Sequence, residues 1–167
     1  MENNDIKQQV LIFSRARNNL LAVVAFTVIN IILSALDAGV NFLFSATIPQ
    51  VIFEICKGLD SDSGSNLFTV IGLIIAAIII ITYVVFWLLS KNLRVFILVA
   101  LIFFAVDSLV LVFIILNVEF TYTFLLEIAF HGWILYYLIN GVRAWSKLSG
   151  VDTDVFNTIL QEAKTNK

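Results

Sequence analysis

Four apolar runs, Leu20 to Leu36, Leu67 to Leu89, Val95 to Leu116 and Phe120 to Ile139, leave this chain few ways to fold. A hydrocarbon layer about 30 Å thick is crossed by a helix of about 20 residues, and each run is close to that length. Inside lipid every backbone N–H and C=O needs a partner within the segment, so a run of this kind must be helical. The pattern predicts an all-α integral membrane protein, a four-transmembrane-helix bundle with short interfacial helices. Its spans fall at about 19–36, 67–90, 95–117 and 120–140, in a single domain of residues 1–167. Composition agrees: the chain is 60% hydrophobic and 13% charged, whereas soluble domains carry about a quarter charged residues.

Charge sets the orientation. Lys7, Arg15 and Arg17 precede the first span, Lys91 and Arg94 lie between the second and third, and Arg143, Lys147, Lys164 and Lys167 follow the fourth. Lys57 alone sits in the first loop, beside Asp37, Glu54, Asp60 and Asp62, and the third turn carries only Glu119. Lys and Arg are retained on the cytoplasmic side, so both termini are expected there, in a multi-pass protein of the cell membrane. The basic residues mark helix ends and form no dense patch, and the net charge is −2, which argues against nucleic acid as a partner. The first run could be taken for a signal peptide, but its 17 residues exceed the usual apolar core of about 7 to 15, and it reads as a retained anchor. Cys56 is the only cysteine, which excludes an intrachain disulfide and a cysteine-based metal site, and it reads as a small apolar residue facing the membrane.

Between the spans, four segments carry finer expectations. Ile6, Val10, Leu11 and Phe13 recur at near-helical spacing and predict a short helix on the inner leaflet before the chain turns into the bilayer. The external loop 37–66 holds an apolar stretch in which Thr47 can cap a helix, Gln50 can complete the cap, Pro49 suits a first turn and Gly58 suits a stop. A helix over about 48–57 is too short to cross; it lies at the outer interface, or it dips in and returns, and the interfacial arrangement is the simpler expectation. Asp60 to Asn66 reads as a mobile linker. In the cytoplasmic tail 143–167, Asp152 or Thr153 can cap a last helix with Val155, Phe156, Ile159 and Leu160 on one side. Gly72, Ala76 and Ala77 make a small-residue stripe suited to close helix approach, and Trp87, Tyr136, Tyr137 and Trp145 form an aromatic belt at the inner boundary.

Three ionisable side chains stand well inside the apolar runs: Asp107, Glu127 and His131. Each is costly against lipid and is expected to face protein. The third and fourth spans form a hairpin turning near Val118 and Glu119; Asp107 precedes that turn, and His131 follows it, by about 12 residues, so both lie roughly 18 Å from it and at one level. Glu127 is one turn from His131 on the same face. Thr27 and Asn30 of span one and Thr82 of span two are candidate supporting groups.

Three uses compete for such a site. One is an interhelical clamp, one a proton or cation site, and one a metal or hydrolytic centre, since a histidine with two carboxylates can hold a divalent ion. The sequence lacks HExxH, a second histidine, a Gly-x-Ser-x-Gly turn and a phosphate-binding glycine loop, and Ser108 points about 100° away from Asp107 on its helix. No enzyme mechanism or cofactor is indicated. The expected role is a binding, accessory or scaffold subunit, with a proton- or cation-coupled transporter as the alternative. Four spans without an evident inverted repeat favour a homo-oligomer or a membrane partner protein, beside the lipid bilayer itself.

Overall fold

The computed structural model describes residues 3–39, 45–63, 65–118 and 121–165. Six helices follow in order: α1 (Asn3–Ala35), α2 (Thr47–Ser63), α3 (Leu67–Leu89), α4 (Phe96–Asn117), α5 (Tyr122–Lys147) and α6 (Thr153–Thr165). Four of them, α1, α3, α4 and α5, are long and apolar enough to cross a membrane. They keep much of their apolar surface outside: Leu116 is 78% exposed, Leu109 68% and Phe113 67%. In water such an exterior would aggregate, whereas in lipid it is solvated. The helices form a bundle with four candidate transmembrane segments, as expected. Glu119 and Phe120, on which the expected third turn and the start of the fourth span fall, lie outside the described residues, as does Lys167.

Several finer expectations are corrected. The N-terminal segment is no separate surface helix: it continues without a break into the first span, giving a helix of 33 residues, roughly 50 Å long. Its first turns are buried by protein. Val10, Phe13 and Ala16 are fully covered, and Phe13 meets the edge of Phe156 on α6 at 5.7 Å. Helix α6 therefore packs on the bundle, with Asp152 Oδ1 accepting the Asp154 N–H at its start. The fourth span runs on to Lys147.

The apolar helix of the first loop is also longer than expected, because Gly58 does not stop it and it reaches Ser63. It lies against α3, where Gly72 and Ala76 are buried and Ala77 is exposed. A Cβ on Gly72 would stand 2.6 Å from the Cys56 Cβ, so Cys56 packs against a helix and the glycine is what permits the approach. Asp60 to Asn66 is no loose linker. Asp60 is buried, and its carboxylate accepts the N–H groups of Phe68 at 3.0 Å and Thr69 at 2.5 Å, closing the start of α3. At the other end of that loop α1 stops at a left-handed residue, Asp37 (φ 53°), with Ala38 N–H donating to Leu33 O and Asp37 N–H to Ser34 O. Lys57, the exception to the charge bias, reaches from α2 to Ser34 O and Asp37 at this C-terminus, where a cation is favoured.

Two outcomes check this packing. Gly141 faces Ala16, and a Cβ there would come within 2.5 Å of the Ala16 Cβ. Gly141→Ala should therefore cost about 1–3 kcal/mol in detergent unfolding, while Gly132→Ala should be neutral or stabilise by up to about 1 kcal/mol, because Gly132 has nothing within 4 Å. The second concerns Asp60. Burial raises its carboxyl pKa, but the hydrogen bonds from Thr69, Phe68 and Ser65 outweigh that and hold it below the usual carboxylate value. A depressed folded value contributes stability at neutral pH that is lost as pH falls through about 4 and below. Amide exchange at Phe68 and Thr69 should accelerate in that range in the native protein, and Asp60→Asn should show the faster exchange already at pH 7.

Candidate functional site

The site is assembled around the first turn of α2. A helix start leaves several N–H groups without intrahelical partners, and this one begins inside the bundle: Ser45, Ala46 and Pro49 are buried. Each donor has a destination. Ala46 N–H donates to Thr27 Oγ1 of α1 at 2.9 Å. Thr47 N–H and Ile48 N–H donate to the two oxygens of Asp107, at 2.9 and 2.8 Å. Pro49 has no N–H to satisfy. A carboxylate from another helix thus stands where a capping side chain was expected from Thr47 itself, and its charge complements the positive end of the α2 dipole.

Asp107 lies midway along α4 and His131 faces it from α5. His131 Nε2 is 3.2 Å from Asp107 Oδ2, with the aspartate 1% and the histidine 5% exposed at their side chains. The two residues counted as level from the hairpin turn do meet. Phe104 stacks on the imidazole at 5.1 Å between ring centres, and Phe130 meets it edge-on. His131 Nδ1 is 3.0 Å from the carbonyl oxygen of Glu127, which can only accept, so Nδ1 carries a hydrogen. The state of the ring then turns on Nε2. If protonated, Nε2 donates to Asp107; if bare, it can accept from the Thr47 hydroxyl at 3.4 Å. Both forms have a partner in the same arrangement.

The other predicted residues divide. Thr27 and Asn30 support the site indirectly, by holding the strand of chain that leads into α2: Asn30 Nδ2 donates to Ser45 Oγ at 2.8 Å and Gln50 Oε1 at 3.2 Å. Gln50 is therefore tied to α1 and to Glu54, not to a capping box. Thr82 takes no part; its hydroxyl donates to Ile78 O in its own helix. Ser108 likewise donates to Phe104 O. Glu127 does not join the Asp107–His131 pair through its carboxylate but lines a cavity with His131.

That cavity, about 170 Å³, is bounded by Ser45, Thr47, Gln50, Glu54, Glu127 and His131, with Val51, Leu111, Ile114 and Phe124 completing the wall. Its direction follows from helix register. Glu54 is seven residues beyond Thr47, Ile114 seven beyond Asp107, and Phe124 seven before His131. The cavity thus extends roughly 10 Å from the clamp toward the α4–α5 turn. Two carboxylates, Glu54 and Glu127, stand along it and His131 lies at its base. Among the described residues no three His, Cys, Asp or Glu side chains gather closely enough to hold a metal ion, so the metal reading gains nothing from the geometry.

The Thr47 and Ile48 N–H groups, Ser45, Gln50 and Glu54 were missed by reasoning from the sequence. A signal existed: an apolar helix starting at Thr-Ile-Pro needs an acceptor for two N–H groups, and Asp107 was an acceptor needing donors. The chain matches no family model, no curated protein and no solved structure.

Loss of the clamp should be measurable. Asp107→Ala leaves two buried N–H groups unpaired and should cost at least about 1–3 kcal/mol, while His131→Gln should cost about 0.6 kcal/mol, the average for hydrogen bonds between membrane helices. Unfolding monitored by circular dichroism in mixed detergent gives the ranking, and amide exchange at Thr47 and Ile48 should rise in the aspartate variant first.

Proposed function

We propose that this chain is a multi-pass membrane protein with both termini cytoplasmic, acting as a binding or accessory subunit whose ligand site is the cavity at the tip of α2. If α1, α3, α4 and α5 span, the start of α2 lies near mid-bilayer, and the helix is re-entrant instead of interfacial. Discontinuous helices whose ends lie at the midplane are a recurrent way of building ion and substrate sites in membranes. The observation that carries the reading is the position of His131, clamped to Asp107 on one side and facing the acid-lined cavity on the other. Proton uptake there exchanges a Thr47–His131 hydrogen bond for an imidazolium–carboxylate bond, so the occupied state grips the α2 tip more firmly. A cation entering from the side of the α4–α5 turn, outside in this topology, would be drawn by Glu54 and Glu127.

Proton- or cation-coupled transport uses the same groups, and Glu127 beside the cavity favours it as the second reading. Four spans supply a short path at most, which fits a homo-oligomer or a complex with a membrane partner.

The lone histidine makes the test direct. Nitrogen NMR of the His131 ring in the reconstituted protein should show a titration between pH 5 and 9, displaced in Glu127→Gln, with α2 amide exchange changing over the same interval. A ring that does not titrate there overturns the reading. In proteoliposomes, pH-dependent cation flux abolished by Asp107→Asn in a folded bundle would select transport, and absence of flux with a titrating His131 would select the binding subunit.

A further inference from the structure

The end of the bundle that carries both chain termini holds a second polar cavity unrelated to the first. It has a volume of about 510 Å³ and is lined by Arg17 of α1, Trp87 and Leu88 of α3, Lys91 of the α3–α4 turn, and Asn157, Leu160 and Gln161 of α6. Arg17 is half-buried. Its Nε donates to Ser90 Oγ at 2.8 Å and its Nη2 to Trp87 O at 2.9 Å, closing the C-terminus of α3, while its guanidinium lies 5.5 Å from the Trp87 ring centre. Among the described residues no carboxylate pairs with Arg17 and none with Lys91. The remaining guanidinium nitrogen, Nη1, has no hydrogen-bond partner there. A half-buried guanidinium with spare donors, a second cation and no counter-charge is an anion site by its chemistry.

The surroundings narrow the ligand. Leu88 and Leu160 give the cavity an apolar side, Arg17, Lys91 and the two amides a polar one. It sits where the apolar α3 gives way to Ser90 and Lys91, and beside a tryptophan of the kind found at the headgroup level. We infer that this cavity binds a phosphate group, held by Arg17 and Lys91, with the Leu88 and Leu160 side suited to the first carbons of a lipid chain. Both an anionic phospholipid and a soluble phosphate present that group. The proposal does not depend on the role of His131.

The test uses the full chain in neutral detergent, titrated with short-chain phosphatidylglycerol, short-chain phosphatidylcholine or inorganic phosphate, and read by native mass spectrometry and by the shift in melting temperature. Phosphatidylglycerol should bind and stabilise more than phosphatidylcholine. Lys91→Gln, an exposed turn substitution that disturbs no packing, should weaken phosphatidylglycerol about fivefold, and Arg17→Lys, which keeps the charge but loses the fork, should weaken it by at least as much. Arg143→Gln, at the same end of the bundle but outside the cavity, should leave affinity unchanged. Inorganic phosphate that binds as tightly as the lipid supports the site and assigns it to a soluble anion; weak phosphate binding beside tight lipid binding assigns it to the membrane. Equal loss in Arg143→Gln and Lys91→Gln, or equal binding of phosphatidylcholine, overturns the proposal, since either means diffuse surface attraction.

Discussion

Helix ends govern this structure. A helix in the middle of a run satisfies its own backbone, but its first N–H and last C=O groups look outward, and a bundle with an apolar exterior offers little water to receive them. Here side chains distant in sequence do so. Asp107 takes the start of α2 and Asp60 the start of α3. Arg17 takes the C-terminus of α3, Lys57 that of α1, and Arg94 binds Leu148 O and Val151 O after α5. Acids sit at N-termini and bases at C-termini, the polarity that the helix dipole favours. The few charges that the chain retains are largely used to close its backbone.

Seen in this way, the two candidate sites have a common origin. At α2 the cap is an aspartate that is itself paired with the one histidine, so a structural contact is linked to a group that can gain or lose a proton. At α3 the cap is an arginine that uses two of its nitrogens on protein and leaves the third facing a cavity. In both cases a residue placed for helix termination retains capacity for a ligand.

The legibility of these features differed by physical type. Apolar run length predicts the four long helices, since no other backbone state survives in lipid, and their bounds fell close to the observed ones for α3 and α4. The equal spacing of Asp107 and His131 from one hairpin turn predicts their meeting, because antiparallel helices of fixed rise bring equidistant residues level. The first helix was misread at its start: the spacing of Ile6, Val10 and Phe13 marks one buried face, and whether that face meets lipid or α6 is decided by where residues 153–165 fold. Gly58 and the Asp60–Asn66 segment carried local signals for a stop and a loose linker, and contacts with α3 overrode both. Thr82 resembled Thr27 in sequence, yet its rotation on α3 turns it to its own backbone.

What the sequence by itself determined is therefore everything that follows from hydropathy, charge bias and helical rise: the class, the number of long helices, the shared level of the buried acid and imidazole. What only the tertiary structure decided is the path of α2, which begins inside the bundle because Asp107, Thr27 and Asn30 together receive the polar groups at its start. No local pattern could reveal that, since the donors lie in residues 46–48 and their acceptors in two other helices. A long-range hydrogen bond is a property of the assembled backbone, and it exists only once the helices that carry its two halves have packed.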